Sequence, residues 1–485
     1  MKVRGLAILL LIVISATTAF AQLSPKHKMA MTKMTSRRQD VRLEGCLELI
    51  GCVDPKAFKA AAFIAKRDKA MDVRVAALRV LVRSGKKEHR ELISHLVTNG
   101  RKDMRRRLVD AFSKEGVIAL KYLYEALGDK LPTIRALAIK GIGMQADARF
   151  VPSLKSMLKD PDPFVKLEVL KTLVSLGKQD PEGGSAHTSD LKPEMLKDMG
   201  IPLKTSDFER SYRDIKADLC DELRIQMKDQ APSIRQVALK GLADLDARGL
   251  ENILGRALRD ENSEVRKIAG ENLLLRYKNS AKSRFAAQAR DSNRQVRADA
   301  LENLAQYKRD AVNEIFVFLD DNADYIRRQA VDILTKINIP KVYPRLADLL
   351  VDRDKEVRRR VALALGKSRT SAMGGRLAGV LDDKYPEVRL AAVKSISDVG
   401  GPDVLRNLLK AANDDDAVVR QAYIEALGNA GGEDAGRMLV EQMKARKEGM
   451  SGHIDRALRR LGDAAIKPLC VDFDSLAADP LTRSQ

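Results

Sequence analysis

Residues 383–397 read DKYPEVRLAAVKSIS, and the reading of this stretch decides the fold. The chain reads DRDKEVRRRVALALG from Asp352, 31 residues earlier, and DDDAVVRQAYIEALG from Asp414, 31 residues later. Each stretch opens on Asp and carries Arg six residues on. With Arg389 as reference, the equivalent positions are Arg42, Arg74, Arg105, Arg135, Lys166, Arg235, Arg266, Arg297, Arg327, Arg358 and Arg420. Apart from one gap of 69, they stand 30 to 32 residues apart. A constant period of this size marks stacked repeats.

The surroundings of the Arg repeat as well. The residue before it is apolar throughout, as in Val73, Ile134, Val265 and Val388, and so is the residue seven after it, as in Leu81 and Ile396. Apolar sites at −1, +3, +4 and +7 make one face of an α-helix. A small residue at +3 (Ala77, Ala138, Ala238 or Ala392) lets a neighbouring helix come close. Pro132, Pro163, Pro232 and Pro386 stand three before the Arg or Lys, suited to the first helical position. Asp162, Asn262, Asn293, Asp354 and Asp416 stand one residue earlier, as N-caps. Gly177, Gly366 and Gly428 read as C-terminal stops. A second amphipathic segment precedes each turn, as at 252–258 and 344–350. Each repeat is therefore a helical hairpin, and only stacking buries its apolar faces.

The D-x5-R spacing with V-R-x-x-A resembles the HEAT repeat family, in its short form of about 31 residues known as HEAT-like or phycobilisome-lyase-type repeats. The resemblance covers roughly residues 30–470. It implies an all-α fold, an α-solenoid of about 12–13 stacked antiparallel helix pairs, and protein-binding roles rather than one chemistry. It also implies a ladder of Asp and Arg along the turns. Asp precedes the Arg by six in ten of twelve repeats: Asp68, Asp129, Asp160, Asp229, Asp260, Asp291, Asp321, Asp352, Asp383 and Asp414. Ser36 and Asn99 replace it in the other two. Asp, Ser and Asn share the capacity to accept a backbone N–H in a turn, whereas a catalytic carboxylate would not tolerate that exchange. Arg, with five donors in a planar fork, joins two acceptors at once. The expected role of these residues is structural.

Composition bounds the rest. There is no Trp, and aromatics make up 4% of the 485 residues, so cores are built from Ala, Leu, Val and Ile. Residues 1–21 read as a signal peptide: Lys2 and Arg4, an apolar run from Leu6 to Ile14, then Ala19-Phe20-Ala21. The expected location is therefore outside the cytoplasm, periplasmic or extracellular, and no later stretch is apolar enough to span a bilayer. Further expected segments are a basic tail at 22–35, HEAT-like repeats at 36–177, a loop-rich insertion at 178–211, further repeats and a cap at 212–470, and a tail at 471–485. Export permits a disulfide between Cys46 and Cys52, which flank Gly51; equally, Cys46 fills a core slot usually held by Leu.

Net charge is +20, and residues 22–107 hold 22 Lys and Arg against 9 Asp and Glu. Lys86, Lys87, Arg90, Arg101, Lys102, Arg105, Arg106 and Arg107 are the candidate polyanion-binding residues. Acidic proteins, anionic lipids, cell-wall polymers and nucleic acid are the partners such charge attracts. The five His form no His-Glu motif of the kind used by iron-dependent HEAT-like hydroxylases, and no nucleophile elbow or phosphate loop occurs. No metal or cofactor is expected. The reading is an exported, non-catalytic scaffold for protein–protein contacts. Its rivals are an envelope polyanion binder using the basic end and an enzyme with a site in the 178–211 insertion.

Overall fold

The computed structural model describes residues 24–145, 150–178, 212–445 and 449–471. The leader at 1–21, residues 179–211 of the insertion and the tail beyond 471 lie outside the described residues. The described chain is all-α and solenoidal: helical hairpins follow one another, most with a leading helix, a turn opened by the repeat Asp, and a trailing helix that carries the repeat Arg. Two compact units are formed, Met1–Ala269 and Gly270–Gln485.

The hairpin at 342–366 shows how sequence makes the repeat. Its leading helix, Val342–Ala347, tightens into a 3-10 turn at Asp348–Val351 that ends on Asp352. Asp354 then caps the trailing helix Lys355–Gly366, its side chain accepting from the Val357 N–H. The same device starts other trailing helices: Asp162 accepts from Phe164 N, Asn293 from Gln295 N and Asp416 from Val418 N. Pro132, Pro163, Pro232 and Pro386 each occupy the first helical position.

Trailing helices pack side by side in each unit. In the first, Gln39–Glu48, Met71–Leu81, Lys102–Phe112, Pro132–Gly143 and Pro163–Gly177 touch in succession. In the second, Asp324–Ile337, Lys355–Gly366, Pro386–Val399 and Ala417–Ala430 do the same. The apolar face predicted around Arg389 is the buried one: Val388, Ala392, Val393 and Ile396 are all fully inaccessible. Each branched side chain buried in this way contributes about 1.5–3 kcal/mol.

The glycines correct the sequence reading. Gly177, Gly366 and Gly428 do not stop their helices in a left-handed conformation; all three lie within the helices, where a Cβ would strike the next repeat. A Cβ on Gly366 would lie 2.8 Å from the Ser395 Oγ, and one on Gly428 3.0 Å from Ala457. Gly400, Gly431 and Gly462 do close helices with positive φ, at 67°, 77° and 56°. The closest approaches pair the site eight after one Arg with the site six after the next. Gly143 meets Thr172, Gly366 meets Ser395, and Gly241 meets Val174 with the roles reversed.

Residues 22–35 were expected as a basic tail. Instead Pro25–Lys33 is the leading helix of the first repeat, capped by the Ser24 hydroxyl and seated through buried Ala30. Gly45 makes this seat, since a Cβ there would lie 2.6 Å from the Ala30 carbonyl oxygen. Cys46 and Cys52 form no bond. Both are buried free thiols: Cys46 faces the core, and the Cys52 Sγ sits 3.9 Å from the His27 Nδ1.

Candidate functional site

The repeated Asp and Arg meet between neighbouring repeats. Arg389 donates from Nε to the Asp414 Oδ2 at 2.7 Å and from Nη2 to Oδ1 at 2.8 Å. Its Nη1 donates at 2.7 Å to the backbone carbonyl of Asp383, the Asp of its own repeat. The Asp383 carboxylate accepts from the Tyr385 N–H at 3.0 Å and receives the fork of Arg358. Each Asp therefore shapes its own turn, and each Arg ties that turn to the next. The same two-pronged bond joins Arg42 to Asp68, Arg105 to Asp129, Arg135 to Asp160, Arg235 to Asp260, Arg297 to Asp321 and Arg327 to Asp352. Arg266 donates to the carbonyls of Asp260 and Glu261, and the Asp291 carboxylate accepts from Asn293 N.

Departures follow the sequence. Arg74, whose next repeat offers Asn99 in place of Asp, turns its Nε to the Ala65 carbonyl at 2.9 Å. Arg420 donates to the Asp414 and Asp415 carbonyls while its buried Nε has no partner among the described residues. Lys166, the one Lys at this position, reaches Asp229 at 3.7 Å across the 69-residue gap. The repeat before the insertion is thus joined directly to the repeat after it. Tyr212 donates its hydroxyl to the Gly177 carbonyl, and Lys178 pairs with Asp244 at 2.5 Å.

Burial raises the cost of ionising Asp383 and Asp414, but the Arg forks and turn N–H groups outweigh it and hold both carboxyls below their usual range. Hydrogen bonding to those carboxylates raises Arg358 and Arg389 further above an already high value. Groups locked in one charge state and facing each other are joints, not proton-transfer machinery.

The candidate polyanion residues do not form one patch. Arg105 is 4% exposed and belongs to the ladder through Asp129, so it is withdrawn from the surface set. Lys86, Lys87 and Arg90 cluster at the start of the leading helix Lys87–Asn99. Arg101 and Lys102 stand beyond its far end, about 20 Å away at 1.5 Å per residue. Arg106 and Arg107 point from the trailing helix Lys102–Phe112 into a separate groove, where Arg107 pairs with Asp72.

That groove is a surface feature of the first unit. It occupies about 730 Å³ over the trailing helices Met71–Leu81, Lys102–Phe112 and Pro132–Gly143. Val75, Ala111 and Leu137 form its apolar floor. Asp72, Asp103, Arg106, Arg107 and Asp110 form a rim of both signs. Among the described residues, neither Arg106 nor Asp103 has an ion pair. Beside it, Glu115 is buried between Arg79 at 2.5 Å and Arg83 at 2.9 Å, which stiffens the wall. Sequence reasoning took Arg106 and Arg107 as part of a basic run and missed their acidic neighbours, Asp103 and Asp110 on the same helix and Asp72 from the preceding repeat.

Among the described residues, no group of three His, Cys, Asp or Glu is placed to hold a metal ion, and no helix is long and apolar enough to cross a membrane. The insertion proposed as an enzyme site lies outside the described residues.

No curated protein matches the sequence. Among solved structures, the chain is similar to Kap121p bound to Nup53p (TM-score 0.43, 12% identity, covering 94% of this chain and 55% of that one). It is likewise similar to Kap121p bound to Pho4p (TM-score 0.39, 14% identity, covering 93% and 54%). The chain thus spans little more than half the length of those proteins. The family model for HEAT repeats matches residues 120–184, 220–305, 312–374 and 375–450, together more than half of the chain. By this match and by the hairpin ladder that repeats along it, the chain belongs to the HEAT repeat family.

Proposed function

We propose that this HEAT-repeat chain is an exported, non-catalytic scaffold that holds protein partners on its trailing-helix layer. The observation that carries the reading is the groove over Met71–Leu81, Lys102–Phe112 and Pro132–Gly143, with an apolar floor and unpaired charges of both signs on its rim. A floor of this kind takes apolar side chains of a partner, and the rim selects against partners of wrong charge. Export is supported by the basic, apolar and small-residue pattern of residues 1–21. A non-catalytic role is supported by the use of the repeated Asp and Arg in turn-to-turn bonds.

The test is affinity capture from the exporting compartment with the wild-type chain and with Arg106→Glu/Asp110→Arg, circular dichroism serving as the fold control. A partner held by the wild type and lost by the charge-reversed chain is the expected result. Equal capture by both chains overturns the assignment of this groove. Intact-mass measurement of exported protein is expected to read an N-terminus at Gln22; a chain retaining residues 1–21 inside the cell removes the exported part of the reading.

A further inference from the structure

The first two leading helices carry an unusual face. Pro25–Lys33 (PKHKMAMTK) and Pro55–Arg67 (PKAFKAAAFIAKR) pack against each other and contain no acidic residue. In the second of these, Ala57, Phe58, Ala61 and Ala65 turn inward and are buried. The opposite stripe holds Lys56, Lys59, Phe63, Lys66 and Arg67, spaced at −7, −4, 0, +3 and +4 about Phe63, which puts them on one face. Phe63 is 57% exposed at its centre, with the Arg67 guanidinium 5.0 Å from the ring centroid. Met29, on the neighbouring helix, is 64% exposed beside Lys26 and Lys28. Among the described residues none of these six cations has an ion pair. Lys33, four residues after Met29 and on the same side of its helix, is paired with Glu44 and Glu48. The unpaired field ends at the next leading helix, Lys87–Asn99, where Glu88 and Glu91 enter and Lys87 meets Glu91 at 3.9 Å.

We infer that the face centred on Phe63 docks on an anionic lipid surface, with Phe63 entering the headgroup layer and the surrounding Lys side chains meeting the phosphates. Charge complementarity alone would admit any polyanion. Two features select the membrane. A large apolar side chain, Phe63, stands out at the middle of the charged stripe, the arrangement of a helix that lies in a bilayer interface. Five of the six cations are Lys, whose long stems extend along apolar surface and whose point charge suits a fluid headgroup layer; Arg forks suit fixed phosphates. Nucleic acid would call for several aromatic platforms, and this face has one ring. The trailing-helix groove uses none of these residues, so a membrane-docked chain keeps its partner groove free.

The chain has no Trp, so Phe63→Trp places a single fluorophore at the centre of the face. The full mature chain is mixed with vesicles of phosphatidylglycerol in phosphatidylcholine and with vesicles of phosphatidylcholine alone. The expected result is a blue shift of emission on the anionic vesicles only, reversed by added salt. Co-sedimentation of the wild-type chain provides a second readout. Replacing Lys56, Lys59 and Lys66 by Ala should weaken binding about fivefold per cation removed, with unchanged circular dichroism. Equal partitioning on neutral vesicles, or no shift on anionic ones, overturns the inference. Retention on heparin with no vesicle response assigns the face to a soluble polyanion and overturns it too.

Discussion

Arg358 makes three hydrogen bonds with one side chain: it holds Asp383 of the next repeat with two donors and the Asp352 carbonyl of its own repeat with a third. Replacing it by Ala leaves a largely buried carboxylate unpaired. The expected cost is about 3 kcal/mol, the lower end for a buried pair broken on one side, read by urea unfolding. Hydrogen exchange should place the loss at Lys355–Gly366 and Pro386–Val399, because a solenoid is stabilised repeat by repeat. Lys at this position recovers little, since a point charge cannot replace a planar fork. The rungs also set a pH dependence. Asp383 and Asp414 ionise below their usual value in the folded chain, so the unfolded chain binds protons first as the pH falls. Their contribution is complete above the unfolded value of about 3.9 and is lost as the pH drops through the folded values. Glu356, held down to about 2 by Arg359 and Arg360, keeps its charge well into acid. Melting temperatures should therefore be level near neutrality and fall steeply in acid; a flat profile to pH 2 would contradict the ladder's role. Cys46, pushed up to about 12 by burial, should resist alkylation in the native chain while exposed Cys470 is labelled, as peptide mass spectrometry can resolve.

At the scale of the helix, the contact between trailing helices is set by small residues at two positions. A Cβ on Gly241 would overlap Val174 and crowd Leu223. Gly241→Val is expected to cost about 1–3 kcal/mol by overpacking. Gly375 is the counter-case: it lies inside the helix Ala372–Ala378 with nothing within 4 Å of a built Cβ. Gly375→Ala should stabilise by up to about 1 kcal/mol through helix propensity alone. Thermal melts of the two variants should move in opposite directions. Helix starts were legible in the sequence because Pro at the first position and Asp or Asn as the cap act within three residues. The roles of Gly177, Gly366 and Gly428 were not, because a glycine that ends a helix and one that admits a neighbour look alike until the neighbour is in place.

At the scale of the molecule, the gap of 69 between Lys166 and Arg235 interrupts the sequence but not the stack. Pro163–Gly177 packs on both Tyr212–Gln226 and Pro232–Asp244, and Lys166 bridges to Asp229. Replacing residues 180–210 by a short Gly/Ser linker should leave the melting temperature of the chain within about a degree or two, since the free-energy cost of closing a connection depends only weakly on its length. A large fall would show that the segment supports the first unit. Loss of partner capture at unchanged stability would instead place recognition in that segment.

The sequence by itself determined the period, the order of helix, turn and helix, the buried face and the identity of the rungs. Each of these is written in spacings shorter than one repeat and copied along the chain. Tertiary structure alone decided how the charges are distributed. Arg105 and Arg106 are adjacent in sequence, yet one is buried against Asp129 and the other stands on a groove rim. The basic run at 86–107 separates into three places, while Arg107 meets Asp72 of the preceding repeat on the groove rim. Neighbours one period apart become neighbours in space only when the hairpins stack, and a surface that arises only from stacking leaves no local signature to read.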